Sequence, residues 1–120
     1  MVYSSIEHNI VKAGQAWTCR STCNARRVVI VAVDSYPGGT AVNIVIELNH
    51  ESEDQRQILA PIAFSCLEPD LVAVVANGVN VSQHIPDYAE WKRMANEGQA
   101  GIWTCTIDTI IATLNEANAR

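Results

Sequence analysis

The clearest pattern along the chain is a pair of apolar segments separated by a turn. Residues 26–34 contain six consecutive apolar residues, five of them β-branched, which is typical of a strand covered on both faces. Residues 40–48 alternate instead, with Val42, Ile44, Ile46 and Leu48 on one face and Ala41, Asn43, Val45 and Glu47 on the other. This alternation predicts a strand with one solvent-exposed face. The residues between them, 36–39, fit a type II turn in which Gly38 takes the positive φ, so the sequence predicts a β-hairpin.

Two further elements are predicted directly after the hairpin. Residues 58–64 have the composition of a third strand. Pro61 lies inside it and cannot donate to a β-ladder, so we expect this strand at a sheet edge or at a bulge. Ser65 and Glu68 have the spacing of a capping box, which predicts a helix that continues to about Ala76.

The last part of the chain predicts two more helices. One begins near Pro86 and ends at Gly98, and the other is capped by Thr106. Their inner faces are Tyr88, Trp91, Met94 and Ala95 in the first helix and Ile107, Ile110, Ile111 and Leu114 in the second. Short strands are predicted at residues 15–19 and 101–105.

These elements together predict a single α+β domain that spans residues 1–120. Its sheet is expected to be curved, mostly antiparallel and half-barrel-like, with about four strands packed against three helices. A chain of 120 residues has the length of one domain, and 48% hydrophobic residues are enough for a globular core.

Composition and charge narrow the classes of function. The formal net charge is −5 and the basic residues are dispersed, which disfavours nucleic-acid and membrane-surface partners. The chain shows no secretory-signal pattern and no apolar segment of the length that spans a bilayer. We therefore expect a cytoplasmic protein with free thiols at Cys19, Cys23, Cys66 and Cys105.

Cys66 is the one candidate nucleophile. In the first turn of the predicted capped helix, exposed amides would favour its thiolate, with His50 or His84 as a base. A buried structural thiol is the alternative, since no local signature of a cysteine hydrolase surrounds it. The spacing of Cys19 and Cys23 provides only half of a zinc-ligand set, so neither a metal nor another cofactor is expected.

The aromatic residues are the best candidates for a binding site. If the sheet curls, they are expected to line an apolar pocket that has Glu47 or Glu90 at its mouth and takes a cationic or aromatic ligand. The candidate lining residues are Trp17, Phe64, Tyr88, Trp91 and Trp103. The alternative is that the same side chains only fill the core between the sheet and the helices.

The order of several short segments is also informative. Residues 13–17 (AGQAW) are followed by the hairpin, residues 61–65 (PIAFS), Glu90-Trp91 and residues 101–104 (GIWT). In this order the chain resembles small bacterial proteins carried on mobile gene cassettes (integrons). The resemblance spans most of the chain and implies a cytoplasmic accessory protein with an adaptive or binding role, often oligomeric. It assigns no catalytic residue.

Three classes of function therefore remain. A non-catalytic binding or protein-interaction domain that forms a homodimer is favoured, because an edge strand is expected around Pro61 and the composition is rich in apolar residues. A small enzyme that uses Cys66 is the second class. An immunity- or antitoxin-like partner of a basic protein is the third, because the chain is acidic.

Overall fold

The computed structural model describes residues 11–20, 25–36, 38–48 and 57–118. In these residues an open five-stranded antiparallel sheet packs against three helices, which confirms the α+β fold with a curved sheet and adds one strand to the expected four. The strands are β1 (Ala16–Cys19), β2 (Ala25–Tyr36), β3 (Gly39–Leu48), β4 (Gln57–Ala63) and β5 (Leu71–Ala76), and the helices are α1 (Phe64–Leu67), α2 (Ile85–Asn96) and α3 (Ile107–Asn118). Short 3₁₀ turns lie at Glu68–Asp70 and Ser82–His84.

The strand order is β4-β3-β2-β1-β5, and all neighbouring strands are antiparallel. Strands β1 to β4 form a meander, after which the chain crosses the sheet and adds β5 to the opposite edge. The predicted hairpin is confirmed as β2 and β3, and β4 lies at an edge as Pro61 indicates.

One face of the sheet, which we call the α3 face, carries the larger core. It includes Val28, Ile30, Val42, Ile44, Ile46 and Ile62, and the buried side of α3 packs on it. The predicted inner face of α3 is confirmed at Ile107, Ile110 and Ile111, which are at most 1% exposed. The predicted cap is confirmed as well, since the Thr109 amide donates to the Thr106 hydroxyl at 3.2 Å.

The other face, which we call the α2 face, carries a smaller cluster of Ala16, Val29, Val31 and Val45. Tyr88 of α2 packs against this cluster. The prediction that one face of β3 is solvent-exposed was wrong, because Ala41, Asn43 and Val45 on that face are at most 1% exposed. Both faces of the sheet are covered, as in a three-layer arrangement.

The predicted helix from Ser65 to Ala76 was wrong. Helix α1 ends at Leu67 without a side-chain cap, and a 3₁₀ turn that contains Pro69 leads into β5. The valines in residues 71–76 favour an extended backbone. Pairing with β1, which is distant in sequence, stabilises this segment as the strand β5.

Two smaller expectations were also wrong. The positive φ in the hairpin turn belongs to Gly39 (138°) and not to Gly38, which does not fit a type II turn. Residues 101–105 do not form a regular strand, since only Trp103 makes a bridge, to Ile62. Pro37 lies outside the described residues.

Candidate functional site

A cavity of about 460 Å³ lies at one end of the sheet, where the β2–β3 hairpin turns and β4 runs into α1. We call it the hairpin cavity. Its lining residues are Tyr36, Gly38, Gly39, Thr40, Ala41, Ala63, Phe64, Ser65, Ile102 and Thr104. These come from three separate parts of the chain, and the volume is within the range of small-molecule sites.

Small side chains and a pinned loop create this space. Ala41 and Ala63 lie opposite each other on β3 and β4, so the floor of the cavity carries two methyl groups where longer side chains would fill it. The loop beyond β4 is fixed because the Trp103 amide donates to the Pro61 carbonyl at 2.8 Å and the Ala63 amide donates to the Trp103 carbonyl at 2.9 Å. The residues on either side of Trp103, Ile102 and Thr104, then form the outer wall.

The lining is apolar with a few hydroxyl groups. Phe64, Ile102 and the Tyr36 ring supply apolar surface, while Ser65 and Thr104 are exposed hydroxyls. None of the described lining residues is charged. Such a surface suits a ligand that is mainly apolar and carries a neutral hydrogen-bonding group.

Tyr36 connects the cavity with the aromatic side chains of α2. Its ring meets Trp91 edge-on at 6.2 Å between centroids, and Trp91 stacks on Tyr88 at 6.4 Å. The Trp91 indole N–H donates to the Gly101 carbonyl at 2.9 Å, which ties α2 to the loop of the outer wall. Burial, reinforced by the nearby Asp34 carboxylate, raises the pKa of Tyr36, so the phenol is protonated at neutral pH.

Asp34 anchors α2 to the sheet beside this aromatic group. Its carboxylate accepts a hydrogen bond from the Tyr88 hydroxyl at 2.8 Å and pairs with the Lys92 ammonium at 3.0 Å. Burial and the bond to Asp34 raise the pKa of Tyr88, so this phenol also stays a donor. Asp34 is therefore engaged in holding the helix and does not line the cavity.

Two buried polar groups on the α2 face lack hydrogen-bond partners among the residues that the structure describes. Asn43 is 0% exposed, and within the described ranges neither the nitrogen nor the oxygen of its amide is hydrogen-bonded. The hydroxyl of Tyr36 is buried and likewise has no partner in the described part of the chain. An unpaired buried polar group costs about 1 to 3 kcal/mol, so this face is not optimised for stability.

The structure brings three of the predicted pocket residues near the cavity. Phe64 lines it, and Tyr88 and Trp91 form the aromatic group behind Tyr36. Trp103 does not line the hairpin cavity: it packs beside the core of the α3 face and lines a separate cavity of about 440 Å³ formed by residues 101–105.

Three other candidates lie elsewhere. Trp17 is 7% exposed and packs in the core of the α3 face, with its N–H donating to the Gln15 side chain at 3.2 Å. Glu47 is paired with Arg27 at 2.7 Å near the far end of the hairpin. Glu90 is paired with Arg93 at 2.6 Å on the exposed side of α2, so the cavity has no acidic mouth among the described residues.

The structure does not place Cys66 in the surroundings that made it a candidate nucleophile. Its helix has only four residues, so it lacks the dipole of a longer helix. The side chain packs beside the core of the α3 face, whereas His84 precedes α2 on the other face. His50 lies outside the described residues. This arrangement agrees with the interpretation of Cys66 as a packed structural thiol.

Cys19 and Cys105, the other two described cysteines, are free thiols, and the pKa of each is raised. Burial raises the pKa of Cys19 to about 11, with further contributions from Asp70 and Asp108. Burial, with a contribution from nearby Cys66, raises the pKa of Cys105. Neither is activated as a nucleophile. Cys23 lies outside the described residues, so the expectation about the Cys19 and Cys23 spacing cannot be checked at Cys23.

Several site residues could not be identified in the sequence. Ile102 and Thr104 line the cavity, but nothing in their local patterns distinguishes them from ordinary loop residues. Tyr36 also lines it, and its one usable signal is that it is an aromatic residue directly before the Pro37-Gly38-Gly39 turn.

Comparisons of the chain with protein-family models, with curated proteins and with solved structures found no match. Within the described ranges, no helix combines the length and the apolar character that crossing a membrane requires. The resemblance to mobile-cassette proteins stays a prediction.

Proposed function

We propose that this chain is a cytoplasmic, non-catalytic binding protein that takes a small, neutral, aromatic molecule into the hairpin cavity. The observation that carries the proposal is the cavity itself, which has about 460 Å³ of space and a mainly apolar lining in which no described residue is charged. The free thiols at Cys19, Cys66 and Cys105 support a reducing compartment.

The residues around the hairpin cavity favour a neutral ligand over the cationic ligand that the sequence also allowed. A cation needs a carboxylate or an open aromatic face, and the nearby Asp34 already binds Lys92 and Tyr88. The faces of Tyr88 and Trp91 are stacked on each other. The apolar walls are therefore best matched by a flat, uncharged ring.

The hydroxyl groups at the opening add a second requirement. Ser65 and Thr104 are exposed and border the cavity, so a ligand whose polar substituent points outward can exchange hydrogen bonds with them. We expect a ring with a carbonyl or similar acceptor to bind more tightly than the same shape without it, by about 0.5 to 1.5 kcal/mol.

Two probes of nearly equal shape test this proposal. Acetophenone carries a carbonyl oxygen that accepts hydrogen bonds. Isopropylbenzene has a methyl group in place of that oxygen and cannot accept one. In titrations followed by amide chemical shifts, acetophenone should move the signals of residues 40–41 and 63–65 and should bind more tightly than isopropylbenzene. Absence of shifts at these residues at millimolar ligand would refute a ligand site here.

Blocking variants localise the binding. Ala63→Leu fills the floor and Ser65→Leu covers the opening, so each should abolish the shifts while the thermal melt stays cooperative. Ala112→Leu adds the same side chain on the exposed side of α3 and should leave binding unchanged. Binding that survives both blocking variants would place the ligand elsewhere and contradict the proposal.

A further inference from the structure

Two segments that lie next to each other each carry a free cysteine. Cys66 belongs to α1, and Cys105 belongs to the loop that leads into α3. Both side chains are partly buried and pack against the core of the α3 face. Neither thiol lines the hairpin cavity, so chemistry between the two thiols is separate from ligand binding there.

Hydrogen bonds hold these two segments together at both ends. At the first end, the Ala63 amide donates to the Trp103 carbonyl at 2.9 Å. At the second end, the Ile107 amide donates to the Asp70 carboxylate at 3.1 Å. The two stretches of chain between these bonds therefore lie alongside each other.

The cysteines occupy matching places in the two stretches. Cys66 is three residues after the first hydrogen-bonded residue of its stretch and four residues before the last. Cys105 is two residues from each end of the other stretch. Burial and Cys66 together raise the pKa of Cys105, which agrees with the two sulfur atoms being neighbours. Two cysteines on adjacent stretches of backbone meet the first requirement of a disulfide.

The surroundings favour a disulfide over a bound metal ion. A pair of thiols and a disulfide are both uncharged, so oxidation places no charge beside the apolar core. A metal ion would need both thiolates, and the raised pKa of Cys105 shows that its environment disfavours the thiolate. Among the described residues, no third cysteine, histidine or carboxylate joins the two thiols in a metal-binding group.

We propose that Cys66 and Cys105 form a redox-sensitive pair that closes into a disulfide when the surrounding pool of small thiols becomes oxidised. Oxidised glutathione, a small disulfide, is the oxidant. The thiolate of one cysteine attacks it, which forms a mixed disulfide and releases one molecule of reduced glutathione. The second cysteine then attacks the mixed disulfide, which forms the protein disulfide and releases the other. The two cysteines lose two electrons and two protons, and both are recovered in the two glutathione thiols.

The disulfide ties α1 to the loop that leads into α3. Ser65 and Thr104, which directly precede the two cysteines, both line the hairpin cavity. In the oxidised form this wall of the cavity is held covalently, whereas in the reduced form it is held by noncovalent contacts. The pair is therefore a switch for the rigidity of the wall, and it does not depend on which ligand the cavity takes.

The pair responds to a lasting change in redox conditions and not to a brief one. Exchange begins with a thiolate, and the raised pKa of Cys105 keeps its thiolate scarce at neutral pH. The rate of closure should therefore increase with pH. The final extent of closure depends on the ratio of oxidised to reduced glutathione.

Glutathione redox buffers test the pair quantitatively. The four cysteines lie in four different tryptic peptides, so mass spectrometry identifies which of them are linked. A disulfide that fits the native structure forms more readily in the folded chain than in the unfolded chain. The equilibrium constant for the Cys66–Cys105 disulfide should therefore be at least about 30-fold larger in buffer than in concentrated urea.

Three variants localise the link. Cys66→Ser and Cys105→Ser should each abolish it. Cys19→Ser is the matched control at another partly buried cysteine beside the same core, and it should leave the link unchanged. Hydrogen exchange tests the effect on the wall, since the amides of residues 104–106 should exchange at least about 10-fold more slowly in the oxidised protein.

The outcomes separate clearly. The proposal is overturned if the folded chain forms the link no more readily than the unfolded chain, or if Cys66 and Cys105 link to other cysteines instead of to each other. Unchanged exchange at residues 104–106 overturns the effect on the wall. Ligand titrations of the reduced protein test the hairpin cavity separately, so failure of one proposal is distinguishable from failure of the other.

Discussion

Each face of the sheet is covered by one long helix, but the two helices are held in different ways. On the α3 face, Ile107, Ile110 and Ile111 are at most 1% exposed and close the larger core. On the α2 face, no side chain of α2 is fully buried, and contacts to Asp34 and to the Tyr36 ring hold the helix. The first face is packed for stability. The second tolerates a neighbouring cavity and unpaired buried groups, as functional surfaces do.

Removal of a core side chain on the α3 face should show this difference most strongly. Ile110→Ala should lower the free energy of unfolding by about 3 kcal/mol, because it leaves a cavity in a filled core. Urea denaturation measures the change. Thr113→Ala, an exposed position on the same helix, should stay within about 0.5 kcal/mol of wild type. A loss below about 1 kcal/mol for Ile110→Ala would show that the α3 face is also loosely packed.

On the α2 face, one substitution should raise stability. Asn43→Val removes an amide that has no hydrogen-bond partner among the described residues and places a β-branched side chain in the strand, so the free energy of unfolding should increase by about 1 to 2 kcal/mol. Asn43→Asp should be strongly destabilising, because it buries a charge. A less stable Asn43→Val variant would mean that the amide makes a stabilising contact, and it would remove the contrast between the faces.

Weakening the contact of Asp34 that anchors α2 should give the smallest change in the free energy of unfolding. Asp34→Asn weakens the bond from Tyr88 and should cost about 1 kcal/mol in urea denaturation. The exposed Lys92 pair should add little to this loss. Tryptophan fluorescence should also change, since Trp91 stacks on Tyr88. Glu90→Gln, which breaks an exposed pair on the same helix, should have no measurable effect. Equal effects of the two variants would contradict the anchoring role.

Local patterns predicted the elements whose periodicity is clear. The β2–β3 hairpin, the edge position of β4 and the inner face of α3 all follow from residues close in sequence. The segment from Leu71 to Ala76 was mispredicted because its apolar positions fit a helix as well as a strand. Its strand conformation depends on β1, which the local sequence does not contain.

The candidate site was predictable only in part. Phe64 was identified because aromatic residues are common in binding sites, and it does line the cavity. Trp17 has the same chemistry but packs in the core of the α3 face. The cavity is lined by a hairpin turn, the end of a strand and the loop that contains Ile102. Tertiary contacts bring these segments together, and local sequence patterns do not encode such contacts.

The crossing of the chain from β4 to β5 also has a consequence for the expected order of folding. The β2–β3 pair closes through a short turn, whereas β1 and β5 join residues such as Thr18 and Ala73, which are 55 positions apart. Closing that long loop costs entropy before any contact is gained. We therefore expect the meander to form first and β5 to dock late onto it. Until β5 docks, β1 would be the edge strand, and slowly folding chains would expose it to one another.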